Sequence, residues 1–166
     1  MQISLDSFKY KKWADLRTLD SVSLVDQSSE SANFDFIRQQ LNHIVIVEEL
    51  FRSRLEKTPP PHSMTNTEIV PQFDELKTRL IESCEWFLGY VEGLEKVNYQ
   101  EMILFTFADG KNGSMAISEI LFHIVNHGSY HRGSIARALD LAGVSHPPDG
   151  YGIFVHDYQP ERRHEA

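Results

Sequence analysis

The stretch ISEILFHIVNHGSYHRGSIARALDLAG, residues 117–143, decides the fold. Turned by about 100° per residue, Ile120, Ile124, Ile135, Ala138 and Ala142 fall in one sector, between about +20° and +80° when His127 is set to zero. A stripe of that width marks an amphipathic helix laid on a core. The helix is expected to start between Ser114 and Ser118 and to run to Gly143, whose missing Cβ suits the left-handed residue that stops a helix. Roughly 25 residues at 1.5 Å each give a rod about 38 Å long.

Three histidines ride on it. His123, His127 and His131 are spaced four apart, so successive rings are offset by about 40° around the axis and about 6 Å along it. Two neighbours can reach one ion. His131 falls at about +40° and His123 at about −40°, so His127 and His131 face inward and His123 sits at the margin. A buried imidazole is costly unless both nitrogens find partners, and one metal bond plus one hydrogen bond on the far side supplies them. The i, i+4 pair is a ligand geometry, although such pairs also occur on solvated faces. A third ligand should project from a facing helix. His43 qualifies, sharing a face with Phe36, Ile46, Val47 and Leu50; taken alone, it reads equally as a hydrogen-bonded core histidine. A three-His site would leave coordination positions open, as catalytic zinc does.

Outward from this helix, the rest of the chain also reads as helical. Leu5, Phe8, Trp13, Leu16 and Leu19 outline a first helix that ends in the polar stretch from Asp26 to Ser31. A second begins near Phe34, with Ile37, Leu41, Ile44, Val47, Phe51 and Leu55 as its stripe, and stops at Thr58 before Pro59, Pro60 and Pro61. A third, opened by Pro71, carries Phe73, Leu76, Leu80, Cys84, Phe87, Val91 and Leu94. The unpatterned segment from Pro61 to Val70 is long for a tight turn and suits a crossover running the length of a bundle. Between Asn98 and Ala116, crowded apolar residues around Asp109, Gly110, Asn112 and Gly113 predict a short β-hairpin. No internal repeat or low-complexity segment is present.

Composition narrows the function. The 166 residues include 24 acidic and 16 basic side chains, a formal charge of −8 that repels a phosphate backbone, so nucleic acid is not the expected partner. The first residues lack an apolar core of signal-peptide length and no run of about 18 apolar residues occurs, which predicts a cytoplasmic protein without a membrane partner. The 41% apolar content suffices for one core, and residues 1–166 are expected to form a single domain. The one cysteine, Cys84, allows neither an internal disulfide nor a thiolate cluster, leaving histidine and carboxylates as metal ligands. Its place on the third helix's stripe marks it as a core residue and a poor nucleophile.

Several residues carry secondary expectations. Gly128 and Gly133, inside the last helix, each cost about 1 kcal/mol relative to alanine, so something should approach the backbone there; ordinary close helix packing is the expectation for Gly133. Arg132 points about 100° away from His131 and is expected to pair with a carboxylate at a helix interface. Glu48 and Glu49 read as a solvated face, with Glu48 also able to accept from an imidazole N–H. The tail offers His146, Asp149, Tyr151, His156 and Asp157 as candidate lid or rim groups.

The segment ISEILFHIVNHGSYHRGSIARALDLAGVSHPPD resembles the signature of the DinB/YfiT-like metalloenzyme family, and LNHIVIVEELF and YKKWADLRTL resemble its earlier helices. The resemblance covers nearly the whole chain. It implies an all-α four-helix bundle with a long crossover between helices 2 and 3, and a three-His metal site on His43, His127 and His131. Many relatives carry His-His-Arg-Gly-Gln, where this chain has Tyr130 for the first His and Ser134 for the Gln. It also implies a divalent ion (zinc, nickel or iron), metal-dependent transfer or isomerisation chemistry with a low-molecular-weight thiol, a small-molecule substrate, and a homodimer. The competing expectation is a non-enzymatic metal-binding stress-response or sensor protein, in which the ion ties two helices together.

Overall fold

The computed structural model describes residues 5–94, 99–107 and 109–164. Along the chain come α1 (Leu5–Val22), α2 (Ser31–Glu56), α3 (Phe73–Gly93), β1 (Met102–Thr106), β2 (Asn112–Ala116), α4 (Ile117–Leu141) and α5 (Tyr151–Tyr158). The molecule is mostly helical with one two-stranded antiparallel sheet. Among the described residues no helix is long and apolar enough to cross a membrane.

Each helix end has a local cause. Before α2, the Asp26 carboxylate accepts from the Ser28 amide at 3.0 Å and the Ser29 hydroxyl at 2.9 Å, a turn that stops α1 from continuing. α2 ends where Lys57 adopts φ 57°, and the three prolines beyond it offer no amide hydrogen. α4 begins as Glu119 accepts from the Ala116 amide at 2.8 Å, half of a capping box because alanine has no acceptor to return. It ends at Gly143, φ 72°, with the Val144 amide reaching back to the Leu139 carbonyl at 2.9 Å.

Cross-helix pairs fix the directions. Lys12 meets Glu85 while Asp20 meets Lys77, so α1 and α3 are antiparallel. His43 meets His131 edge-on while Phe51 lies tilted against His123, so α2 and α4 are antiparallel too. Phe34 pairs with Phe73 and Glu49 with Arg79, so α2 and α3 run the same way. Two parallel neighbours cannot be joined by a tight turn, and the connection must carry the chain back along α2. It is pinned as it goes: His62 bonds Glu49, the Thr65 carbonyl bonds His43, Thr67 bonds Asn42, and the Val70 carbonyl bonds Arg38. The segment between α2 and α3 thus runs back beside α2. The expected hairpin is present, with Met102 opposite Ala116 and Thr106 opposite Asn112; Asn98, where that stretch was expected to start, lies outside the described residues.

The core is divided into two apolar zones. One gathers Leu19, Val22, Ile37, Leu41, Leu76, Leu80, Ile135 and Leu139, the other Phe8, Val47, Phe51, Phe87, Val91, Ile120 and Ile124. Every long helix carries a buried polar group or thiol near the boundary of these zones: Lys11 and Asp15 on α1, Glu48 on α2, Ser83 and Cys84 on α3, and Arg132 on α4. His43, His127 and His131 are half-buried on α2 and α4. A polar layer thus crosses the middle of the molecule.

That layer corrects three expectations. The buried face of α1 runs through Phe8, Lys11, Ala14, Asp15, Thr18 and Leu19, whereas Trp13 and Leu16 are only half-buried. Glu48 is not on a solvated face; its side chain is buried against Lys11 and Ser83. Glu49 is half-buried and paired with Arg79 at 2.7 Å. In each case a charged residue follows the helix into the interior because an opposite charge waits there. The tail also holds a helix the sequence pattern did not reveal: α5 buries Phe154 against Tyr10 and Trp13, which explains where the Trp13 ring goes.

Candidate metal centre

Antiparallel packing of α2 on α4 brings one histidine of α2 against two of α4. The His127 Nε2 atom lies 3.1 Å from the Nε2 of His43 and 3.1 Å from the Nε2 of His131. All three ligand atoms lie within 4.8 Å of one another, and they are the one such cluster of three or more potential ligands among the described residues. His123, one turn before His127, stacks on it with ring centres 5.1 Å apart and does not join the cluster.

The outer nitrogens determine what the inner ones can be. His43 Nδ1 lies 2.8 Å from the Thr65 carbonyl, which can only accept, so the hydrogen of a neutral ring sits there and Nε2 is bare. His131 Nδ1 lies 2.7 Å from the Gln40 side-chain oxygen, with the same result. Two lone pairs therefore aim at His127 Nε2, and one N–H could satisfy only one of them. Protonation is not a remedy. Burial first, then the neighbouring imidazoles, push His127 down to about 3, and burial and His43 push His131 down to about 4.

A divalent cation resolves the conflict by accepting all three lone pairs. Imidazole nitrogens about 2.0–2.1 Å from a shared tetrahedral ion stand roughly 3.3 Å apart, close to the 3.1 Å separations found. His43 and His131 have the outward hydrogen bond that orients a metal-binding imidazole. His127 Nδ1 is buried without a hydrogen-bonding partner among the described residues, so its ring is held from the inner side or not at all. The donor set fits the ion.

Behind α4 lies the buried charge layer. Lys11 Nζ is 2.6 Å from Asp15 and 2.8 Å from Glu48, and Arg132 spans Asp15 at 2.8 Å and Asp149 at 2.7 Å. Burial alone would raise Asp15, but Lys11 and Arg132 hold it below its usual range; burial pushes Glu48 up despite Lys11. Burial also pushes the Cys84 thiol well up, which keeps it protonated and inert, as its place on α3 suggested.

Arg132 does what the sequence suggested, joining α1, α4 and the tail. The tail residues do not form a rim around the histidines. Asp149 is bonded to Arg132 and Tyr10, Tyr151 packs edge-on to Tyr10, and His146 pairs with Asp140. The His156 Nδ1 is buried without a hydrogen-bonding partner among the described residues, and Asp157 is exposed. Gly128 does meet a close approach: a Cβ there would lie 3.0 Å from Arg132 Nη1. Gly133 does not, being exposed with nothing within 4 Å, so close packing fails as its reason within this chain. Tyr130 sets its ring edge-on to His131 at 5.1 Å.

The sequence reasoning missed Gln40 and the Thr65 carbonyl. Gln40 lies three residues before His43 on the same helix face and could have been found by that spacing; the carbonyl left no signal. A cleft of about 450 Å³ opens beside His43 and His131, lined also by Gln40, Asn66 and Thr67.

Comparison with known proteins gives one consistent answer. A profile of the DinB family matches residues 1–163. Protein DinB of Bacillus subtilis (strain 168) is 26% identical over 164 residues, covering 89% of this chain and 91% of the relative. No solved structure gives a significant match.

Proposed function

The chain belongs to the DinB family, and from that membership together with the three convergent imidazoles we propose that it is a divalent-metal-binding protein with His43, His127 and His131 as ligands and a metal-dependent enzyme of transferase or hydrolase type. The observation that carries the reading is the meeting of His43 and His127 at 3.1 Å with their outer nitrogens turned away from each other.

A bound zinc, nickel or iron ion would supply a Lewis acid that lowers the pKa of a thiol or water sharing its coordination. The chain's own residues do the rest. Thr65 and Gln40 fix two rings so that their lone pairs face inward. Half-burial of the three histidines limits water while leaving one side reachable, and the cleft beside His43 and His131 gives a small molecule room to approach. No side-chain nucleophile is needed, since Cys84 is held in the core as a thiol.

The same reading takes residues 1–166 as one four-helix-bundle domain of the cytoplasm, acting on a small molecule rather than on nucleic acid or membrane. A homodimer belongs to it too: Phe36, Tyr130 and Leu141 are large apolar side chains exposed on neighbouring faces of α2 and α4, which a second copy would cover.

Cobalt(II) substitution tests the enzymatic reading. With an open coordination side, a small thiol should change the visible spectrum of the cobalt protein. A spectrum unmoved by thiols, beside a large loss of stability on chelation, would favour the non-enzymatic sensor instead.

A further inference from the structure

Arg54 is a charge that the account so far leaves without a role. It lies three turns beyond His43 on α2, half-buried, with its guanidinium carbon 4.6 Å from the Phe51 ring centre and 4.0 Å from that of Phe105 on β1. Its described polar contact is a long one, 3.4 Å from Nη2 to the Thr106 carbonyl. Among the described residues no carboxylate forms an ion pair with it. Burial lowers its pKa, and no described carboxylate raises it as Glu49 raises Arg79.

A cation resting against two aromatic rings set nearly at right angles, partly stripped of water and with no carboxylate partner among the described residues, is ordered in advance for an oxyanion. The space in front of it suits one. Arg54 lines a cleft of about 580 Å³ between the C-terminal half of α2, the start of the crossover and the hairpin. The other basic side chains of this cleft are engaged, Lys57 with Glu101 at 3.0 Å and the His62 ring with Glu49. Leu50, Ile103, Phe105 and Phe107 make its apolar wall. The cleft is also electrically close to the histidines: Phe51 stands between Arg54 and His123 at 5.0 Å, and His123 stacks on His127 at 5.1 Å.

We propose that this cleft binds a small amphipathic carboxylate, its anionic end paired with Arg54 and its apolar body laid against Ile103, Phe105 and Phe107. The subsite rests on its own residues and does not require an ion at the histidines. Arg54 would then select acids over neutral compounds in this cleft.

The test uses the full chain as purified, with 3-phenylpropanoate and its neutral amide as probes, followed by titration calorimetry and by the Arg54 guanidinium resonance. The acid should bind saturably and shift that resonance, and the amide should bind at least about tenfold more weakly, as loss of a charge-assisted pair predicts. Arg54→Gln should weaken the acid by a similar factor, with Arg54→Lys between. His127→Ala should keep the acid's affinity, so failure of the metal centre and failure of this subsite are read separately. Equal binding of acid and amide to the unaltered protein, or no saturable binding at all, would overturn the proposal without relying on any variant. Unchanged affinity in a folded Arg54→Gln protein would overturn it as well.

Discussion

The Nε2 atoms of His43 and His127 stand 3.1 Å apart across two antiparallel helices. Neutral imidazoles have no reason to meet that way unless one donates, and a donated hydrogen at His127 would still leave His131 facing it unpaired. Two helices have been brought together around a point that wants positive charge.

The hydrogen bond from His131 Nδ1 to Gln40 at 2.7 Å sets which nitrogen of His131 is bare. Gln40→Ala should therefore weaken metal affinity by about 10–100-fold while leaving the fold intact. Competition with a chromogenic chelator measures it, with circular dichroism as the control; an unchanged affinity would remove Gln40 from the site.

Lys11 is the cation between two buried carboxylates, Asp15 and Glu48. Lys11→Met should cost about 3–5 kcal/mol in urea denaturation, because it strands buried charge. Adding Glu48→Gln to that variant should recover part of the loss, since the second carboxylate no longer needs a partner. Additive losses would mean that Glu48 does not depend on Lys11.

His127 and His131 titrate near about 6.5 in an unfolded chain but near about 3 and about 4 in the folded one. Between those values the unfolded state holds more protons, so stability rises with pH there. For metal-free protein, this contribution is fully present above about pH 6.5 and is lost as pH falls through the folded values. Melting temperatures from pH 7.5 to 4.5 should fall less steeply for His127→Leu than for the unaltered chain. Parallel slopes would contradict the burial of His127.

The two glycines of α4 should respond oppositely to alanine. At Gly133 nothing lies within 4 Å, and Gly133→Ala should stabilise by about 0.5–1 kcal/mol. At Gly128 the new methyl group would press on Arg132, which Asp15 and Asp149 hold in place, so Gly128→Ala should destabilise. Thermal melts of the two variants decide this.

Periodicity made α2, α3 and α4 readable because their buried faces are apolar, and the position of the apolar stripe on the helical wheel turned His127 and His131 inward. His43 needed the family resemblance, since a single histidine on an apolar face has more than one meaning. The face of α1 was misread because Lys11 and Asp15 look like solvent-facing charges until their partners on α2 and α4 are known. Glu48 was misread for the same reason. Such a layer depends on contacts between residues far apart in sequence, which no local pattern encodes. Helix α5 escaped notice because its eight residues bury only Phe154, too little to make a stripe.

The most direct test is elemental analysis of freshly purified protein beside the His43→Ala, His127→Ala, His131→Ala and His123→Ala variants. The account predicts close to one divalent ion per chain in the unaltered protein and in His123→Ala, and a large loss in the other three. Equal metal content in the unaltered protein and in His127→Ala would contradict it.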